Sequence, residues 1–140
     1  MGFDDATLGA TRQSTFLSVT NYLNTVLDAN GSVDFVVNNS ETDGGGSLAS
    51  SGPYFFGGPD GYQNGLLFQH ATTGIDPTGA VPDALATFDF GYNWNSDLSS
   101  PTGGEVDLFT VALHEVSHSL GFLSLLNSDG TSGISGGDPG

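Results

Sequence analysis

The chain has no cysteine, a single basic residue and one methionine, Met1. Without cysteine, disulfides, thiolate metal sites and cysteine nucleophiles are excluded. Arg12 stands alone against sixteen Asp and Glu, for a formal net charge of −15. That charge repels nucleic acid and anionic membrane, so neither is expected as a partner. Long apolar runs are also missing, and no stretch could span a bilayer. Met1-Gly2-Phe3-Asp4-Asp5 lacks the basic start and apolar run of a signal peptide. Ala6 breaks the myristoylation pattern. The composition is of an extracellular kind, so a secreted protein whose leader is not in this chain is expected.

What is present fits one domain with a modest core. Twenty-two glycines predict long loops, while ten Phe, four Tyr and one Trp supply enough apolar area to fold. The acidic surface suits calcium as a second cation, and it also suits adaptation to salt. No D-x-D-x-D-G loop is present, so a solvated acidic surface is the plainer reading. Asp129-Gly130 and Asp138-Pro139-Gly140 read as turns.

The chemistry gathers at Val111-Ala112-Leu113-His114-Glu115-Val116-Ser117-His118-Ser119-Leu120-Gly121-Phe122. Apolar residues at Val106, Phe109, Leu113, Val116 and Leu120 mark a helix. His114 and His118 lie about one turn and roughly 6 Å apart on one face, so two imidazoles can reach one metal ion. Glu115, about 100° around the helix, is placed to act as a base toward a metal-bound water. Neutral imidazole ligands, an exchangeable water and a carboxylate base are what a zinc hydrolase needs. Gly121 stops the helix three residues after His118.

Around that helix the sequence predicts a loose arm over residues 1–10 and a helix over 11–29. The latter has an apolar face of Phe16, Val19, Tyr22, Leu23, Val26 and Leu27, ended by Asn30-Gly31. Strands are expected over 32–38, 65–71 and 84–92, with a weaker one over 53–56. Residues 39–47, 72–83 and 93–104 read as loops. Thr102-x-x-Glu105 resembles a capping box for the active helix, with Asp107 suiting its dipole. A short apolar piece, Leu123-Ser124-Leu125-Leu126, follows it. Tyr92 and Trp94 read as core before pocket floor. This order suggests an α+β or mixed α/β sheet covered by two helices.

At His114-Glu115-Val116-Ser117-His118-Ser119-Leu120-Gly121 the chain resembles the metzincin clan of zinc metallopeptidases, whose motif is H-E-x-x-H-x-x-G-x-x-H or D. Two upstream segments resemble matrixin-type strands. Asn64-Gly65-Leu66-Leu67-Phe68-Gln69-His70-Ala71 is similar to their edge strand. Ala86-Thr87-Phe88-Asp89-Phe90-Gly91-Tyr92-Asn93-Trp94 is similar to the strand before their active-site helix. The resemblance implies a twisted, mostly parallel sheet with one antiparallel edge strand and two helices. It also implies zinc on His114 and His118, Glu115 as general base, and a peptide or protein substrate paired to the edge strand. The third-ligand position is Ser124, neither His nor Asp, and no methionine can form the family's turn beneath the metal. The chain ends sixteen residues later, so the lower subdomain is expected to be largely absent. His70 and Asp129 are the substitutes within the chain. His70 reads first as a strand histidine or a relic of a structural metal site, and Asp129 as a turn residue. The rival expectation is a non-catalytic extracellular module, either a degenerate protease fold or a calcium-stabilised domain.

Overall fold

The central strand explains the rest of the architecture. Along Ala84-Leu85-Ala86-Thr87-Phe88 burial alternates, with Ala84, Ala86 and Phe88 fully enclosed. Such alternation is what a strand with one face on the core requires. In the computed structural model, which describes residues 2–39, 44–54, 65–124 and 128–131, this strand is β3 (Ala84–Phe88). It pairs in parallel with β1 (Phe35–Asn39) and antiparallel with β2 (Ala49–Pro53), giving the order β1-β3-β2. A second parallel pair joins β4 (Trp94–Asn95) to β5 (Val106–Asp107). The helices are α1 (Gly9–Val26), α2 (Leu66–Thr73) and α3 (Leu108–Ser119). The protein is thus a mixed α+β fold with mostly parallel strands and one antiparallel edge strand.

Four expectations need correcting. First, residues 65–71 are not a strand. Leu66, Leu67, His70 and Ala71 are the buried residues of α2, a helical spacing, and Gly74 closes it in the left-handed conformation at φ 72°. Among the described residues there are therefore three α-helices and not two, and the antiparallel edge strand is β2.

Second, the N-terminal arm is not loose. Gly2–Asp4 forms a 3-10 turn, and the Phe3 ring meets Phe16, Phe88 and Phe90 edge-on at 6.0, 5.7 and 5.0 Å. Arg12 fixes the arm. Its guanidinium donates to the Gly2 carbonyl at 2.8 Å and lies 4.2 Å from the Phe90 ring centroid.

Third, the buried face of α1 is rotated. It carries Arg12, Thr15, Phe16 and Val19, whereas Tyr22, Val26 and Leu27 are exposed. Thr15 earns its place by donating to the Ser96 carbonyl at 2.8 Å. Asn30-Gly31 does not cap α1. The backbone and side-chain amides of Asn30 donate to Ala71 and Thr72 of α2.

Fourth, the Thr102–Glu105 pair forms, but away from a helix start. The Glu105 carboxylate accepts from the backbone and hydroxyl of Thr102 at 2.7 Å each. Those bonds, backbone first, hold its carboxyl below the ordinary range. The helix cap is Asp107, which accepts from the Thr110 amide at 2.9 Å.

The core joins Phe16 and Val19 of α1, Ala86 and Phe88 of β3, Phe90, Trp94, and Leu108, Ala112 and Val116 of α3. Trp94 is core, as read from the sequence, with its indole N–H on the Asp89 carbonyl at 2.7 Å. Strand β3 stops at Phe88, short of residue 92, because the chain turns at Asp89, whose carboxylate accepts from the Gly91 amide. The expected loops are otherwise in place, apart from α2 and β4. Residues 55–56 of the weaker strand, Leu125-Leu126, Asp138-Pro139-Gly140 and part of the 39–47 loop lie outside the described residues.

Candidate metal centre

Helix α3 holds its two histidines by burying the opposite side. Leu108, Ala112, Val116 and Ser119 face inward, leaving His114 exposed and His118 half-buried. Their rings stand nearly perpendicular with centroids 4.4 Å apart, and the two Nε2 atoms approach to 2.9 Å. Both rings therefore present the same nitrogen to one point.

The other nitrogen of His118 explains this aim. Its Nδ1 is 2.8 Å from the Phe122 carbonyl. A carbonyl only accepts, so Nδ1 carries the proton, and a neutral ring then keeps its lone pair on Nε2. This is the tautomer a metal-bound histidine needs, with its outer nitrogen fixed by a backbone oxygen. Two ligands of a tetrahedral zinc at about 2.05 Å lie about 3.3 Å apart, so the pair need open by only a few tenths of an ångström. On this count the residues fit the ion.

The Phe122 carbonyl is put there by the end of the helix. Phe122 N–H donates to Ser117 O at 3.1 Å, and Gly121 N–H to His118 O at 2.9 Å. These two bonds define a Schellman turn, and Gly121 supplies its left-handed residue at φ 101°. The glycine of the motif is thus part of the orientation of His118.

Glu115 is 7% exposed, and its carboxylate accepts no hydrogen bond among the described residues. With His114 it lines an open cleft of about 440 Å³, walled by Ser47, Leu48, Ala49, Thr110 and Val111. A carboxylate so placed, shielded yet without a donor, is suited to taking a proton from something in the cleft.

Protein-family models, curated proteins and solved structures were compared, and none matches.

No third His, Asp or Glu ligand atom lies within 4.8 Å of both ring nitrogens among the described residues. Ser124 is exposed just past the Schellman turn. Asp129 is a turn residue, as read. It accepts from the hydroxyl and amide of Thr131, which hold its carboxyl below the usual range.

His70 belongs to another place. On the last turn of α2, it sets Nδ1 2.8 Å from Asp83 Oδ2, with the two side chains 9% and 1% exposed. Asp76 completes a group of ligand atoms all within 4.8 Å of one another, and this group could hold a metal ion. Asp76 and Asp83 were not singled out from the sequence. Their only signal there is two turn-forming segments after α2, and the contact itself is tertiary. Neither set contains a calcium-type loop.

Proposed function

We propose that the chain is a zinc-dependent endopeptidase domain, with His114 and His118 as metal ligands and Glu115 as general base. The observation that carries this is the convergence of the two Nε2 atoms on one point beside a shielded carboxylate that has no donor among the described residues. The resemblance of the helix to metzincins supports the same reading. The chemistry a bound zinc supplies is Lewis acidity toward a carbonyl and a lowered pKa for water. The chain's own part is proton transfer and positioning. Glu115 takes a proton from the attacking water and later returns it to the leaving amine. His118, held by Phe122, keeps the ligand geometry. Strand β2 takes over the substrate-pairing role expected of residues 66–70. It leads out of the cleft at Ala49, and its outer edge is unpaired among the described residues, so an extended peptide can add to it.

One observation favours a second reading. With no third ligand among the described residues, the pair could hold zinc in a non-catalytic, extracellular binding module. Hydrolysis of a quenched peptide mixture separates the two. Cleavage that a chelator abolishes and zinc restores supports the peptidase. Zinc retention without any cleavage supports the module.

His118→Ala should bind one zinc fewer per chain than the wild type by elemental analysis. Equal stoichiometry would remove the proposal. Gly121→Ala probes the turn. A methyl there meets nothing within 4 Å, so its cost is purely that of φ 101°. A loss of about 1–2 kcal/mol in stability is expected, together with about tenfold weaker zinc binding. Gly121→Asn should lose less of both. Chelator competition and thermal unfolding read the two effects. Unchanged affinity in a destabilised Ala variant would separate the turn from the ring.

A further inference from the structure

We propose that His70, Asp76 and Asp83 form a second, structural metal site for a divalent transition ion of the zinc class, clamping α2 to the start of β3. The three donors come from three pieces of chain. His70 sits on the last turn of α2, Asp76 in the turn that follows, and Asp83 immediately before β3. Each is positioned by independent bonds. Asp76 Oδ1 accepts from the Thr78 amide, the Thr78 hydroxyl and the Gly79 amide at 2.8, 2.9 and 2.8 Å. Asp83 Oδ2 accepts from the Asp34 amide at 2.9 Å as well as facing His70. The His70 ring is wedged by Gly31, where a Cβ would fall 2.9 Å from Cδ2 and 2.3 Å from the His70 carbonyl oxygen.

Charge is the second, independent argument. Two carboxylates are gathered here, one of them 99% buried, and the imidazole offers at most one positive charge. The chain's only Lys or Arg is committed elsewhere, to Phe90 and Gly2. His70 can match the buried Asp83 but not Asp76 as well, whereas a divalent cation on a neutral ring would balance both carboxylates. The donor set selects its class. An imidazole nitrogen argues against calcium and magnesium, and the lack of thiolates against soft ions.

Binding also closes as proton chemistry. The ion enters where Nδ1 and Oδ2 now share a hydrogen, and that 2.8 Å contact widens by about half an ångström to the spacing of a tetrahedral shell. A neutral ring then carries its proton on Nε2, which makes no hydrogen bond among the described residues. Asp76, exposed, gives the ion its way in, and water completes the shell.

The test uses His118→Ala, which removes the α3 pair, dialysed against excess zinc and washed. One zinc per chain should remain, and zinc should raise the thermal midpoint. Adding Asp76→Asn keeps the turn, because an amide oxygen still accepts from Thr78 and Gly79, but should weaken this zinc at least tenfold. Asp83→Asn should do the same. A folded His118→Ala chain that binds no zinc, or an Asp76→Asn chain that binds it equally well, overturns the proposal. Wild-type zinc separates this site from the α3 site. One ion lost in His118→Ala leaves only the α3 pair, one ion kept leaves only the His70 group, and two ions support both.

Discussion

Glu115→Gln is expected to keep its zinc and lose peptide hydrolysis by about 10²- to 10⁴-fold, the usual worth of a positioned general base. The amide has nearly the volume of the carboxylate, so the cleft it shares with His114 keeps its shape. It cannot take a proton at neutral pH, and it brings N–H donors where the native group accepts none among the described residues. Metal retention should be unaffected, because Glu115 is not within ligand distance of both histidines. Zinc content and turnover measured on the same sample give the answer. An active Gln variant would assign the base elsewhere, and a variant without zinc would make Glu115 a structural support of the pair.

The largest stability effect is expected at Phe88. Its side chain is 0% exposed, and its ring lies between 5.7 and 6.3 Å from Phe3, Phe16, Phe90 and Trp94. Phe88→Ala removes the ring common to the arm, α1 and the segment after β3. A loss of about 3–5 kcal/mol is expected. That is a large share of the roughly 5–15 kcal/mol that holds a domain together. Denaturant unfolding should show it as a lower midpoint at similar slope. Phe122→Ala serves as the control. That residue is 70% exposed, and its part in the site is played by its backbone N–H and carbonyl, which alanine keeps, so a change within about 0.5 kcal/mol is expected. Equal losses at the two positions would mean that the ring cluster is not the core.

Both histidines and Glu115 were legible in the sequence because their relation is local. Four residues on a helix fix a distance whatever the rest of the chain does, and Gly121 marks the helix end through its own backbone preference. The helix α2 was not legible. Gly65-Leu66-Leu67-Phe68-Gln69-His70-Ala71 is short and apolar, and over so few residues strand and helix periodicities overlap. Gly74, the left-handed stop, was the available signal. The face of α1 was misplaced for a different reason. Thr15 and the charged Arg12 are buried through tertiary partners, Ser96 and Phe90, while apolar Tyr22 and Val26 are left outside. Hydropathy alone ranks those four in the opposite order. The pairing of His70 with Asp83 spans thirteen residues and a change of element, so no local rule could supply it.

The placement of β3 at the centre of its sheet sets the order of events during synthesis and refolding. Phe35 waits for Ala84 and Thr15 for Ser96, so among the described residues β1 and β2 have no sheet partner until β3 has emerged. Contacts between residues so far apart close large loops before any stabilisation is returned, and this slows folding. Until then Phe16 lacks its contact with Phe88, although Phe3 and Phe35 already lie within the earlier part of the chain.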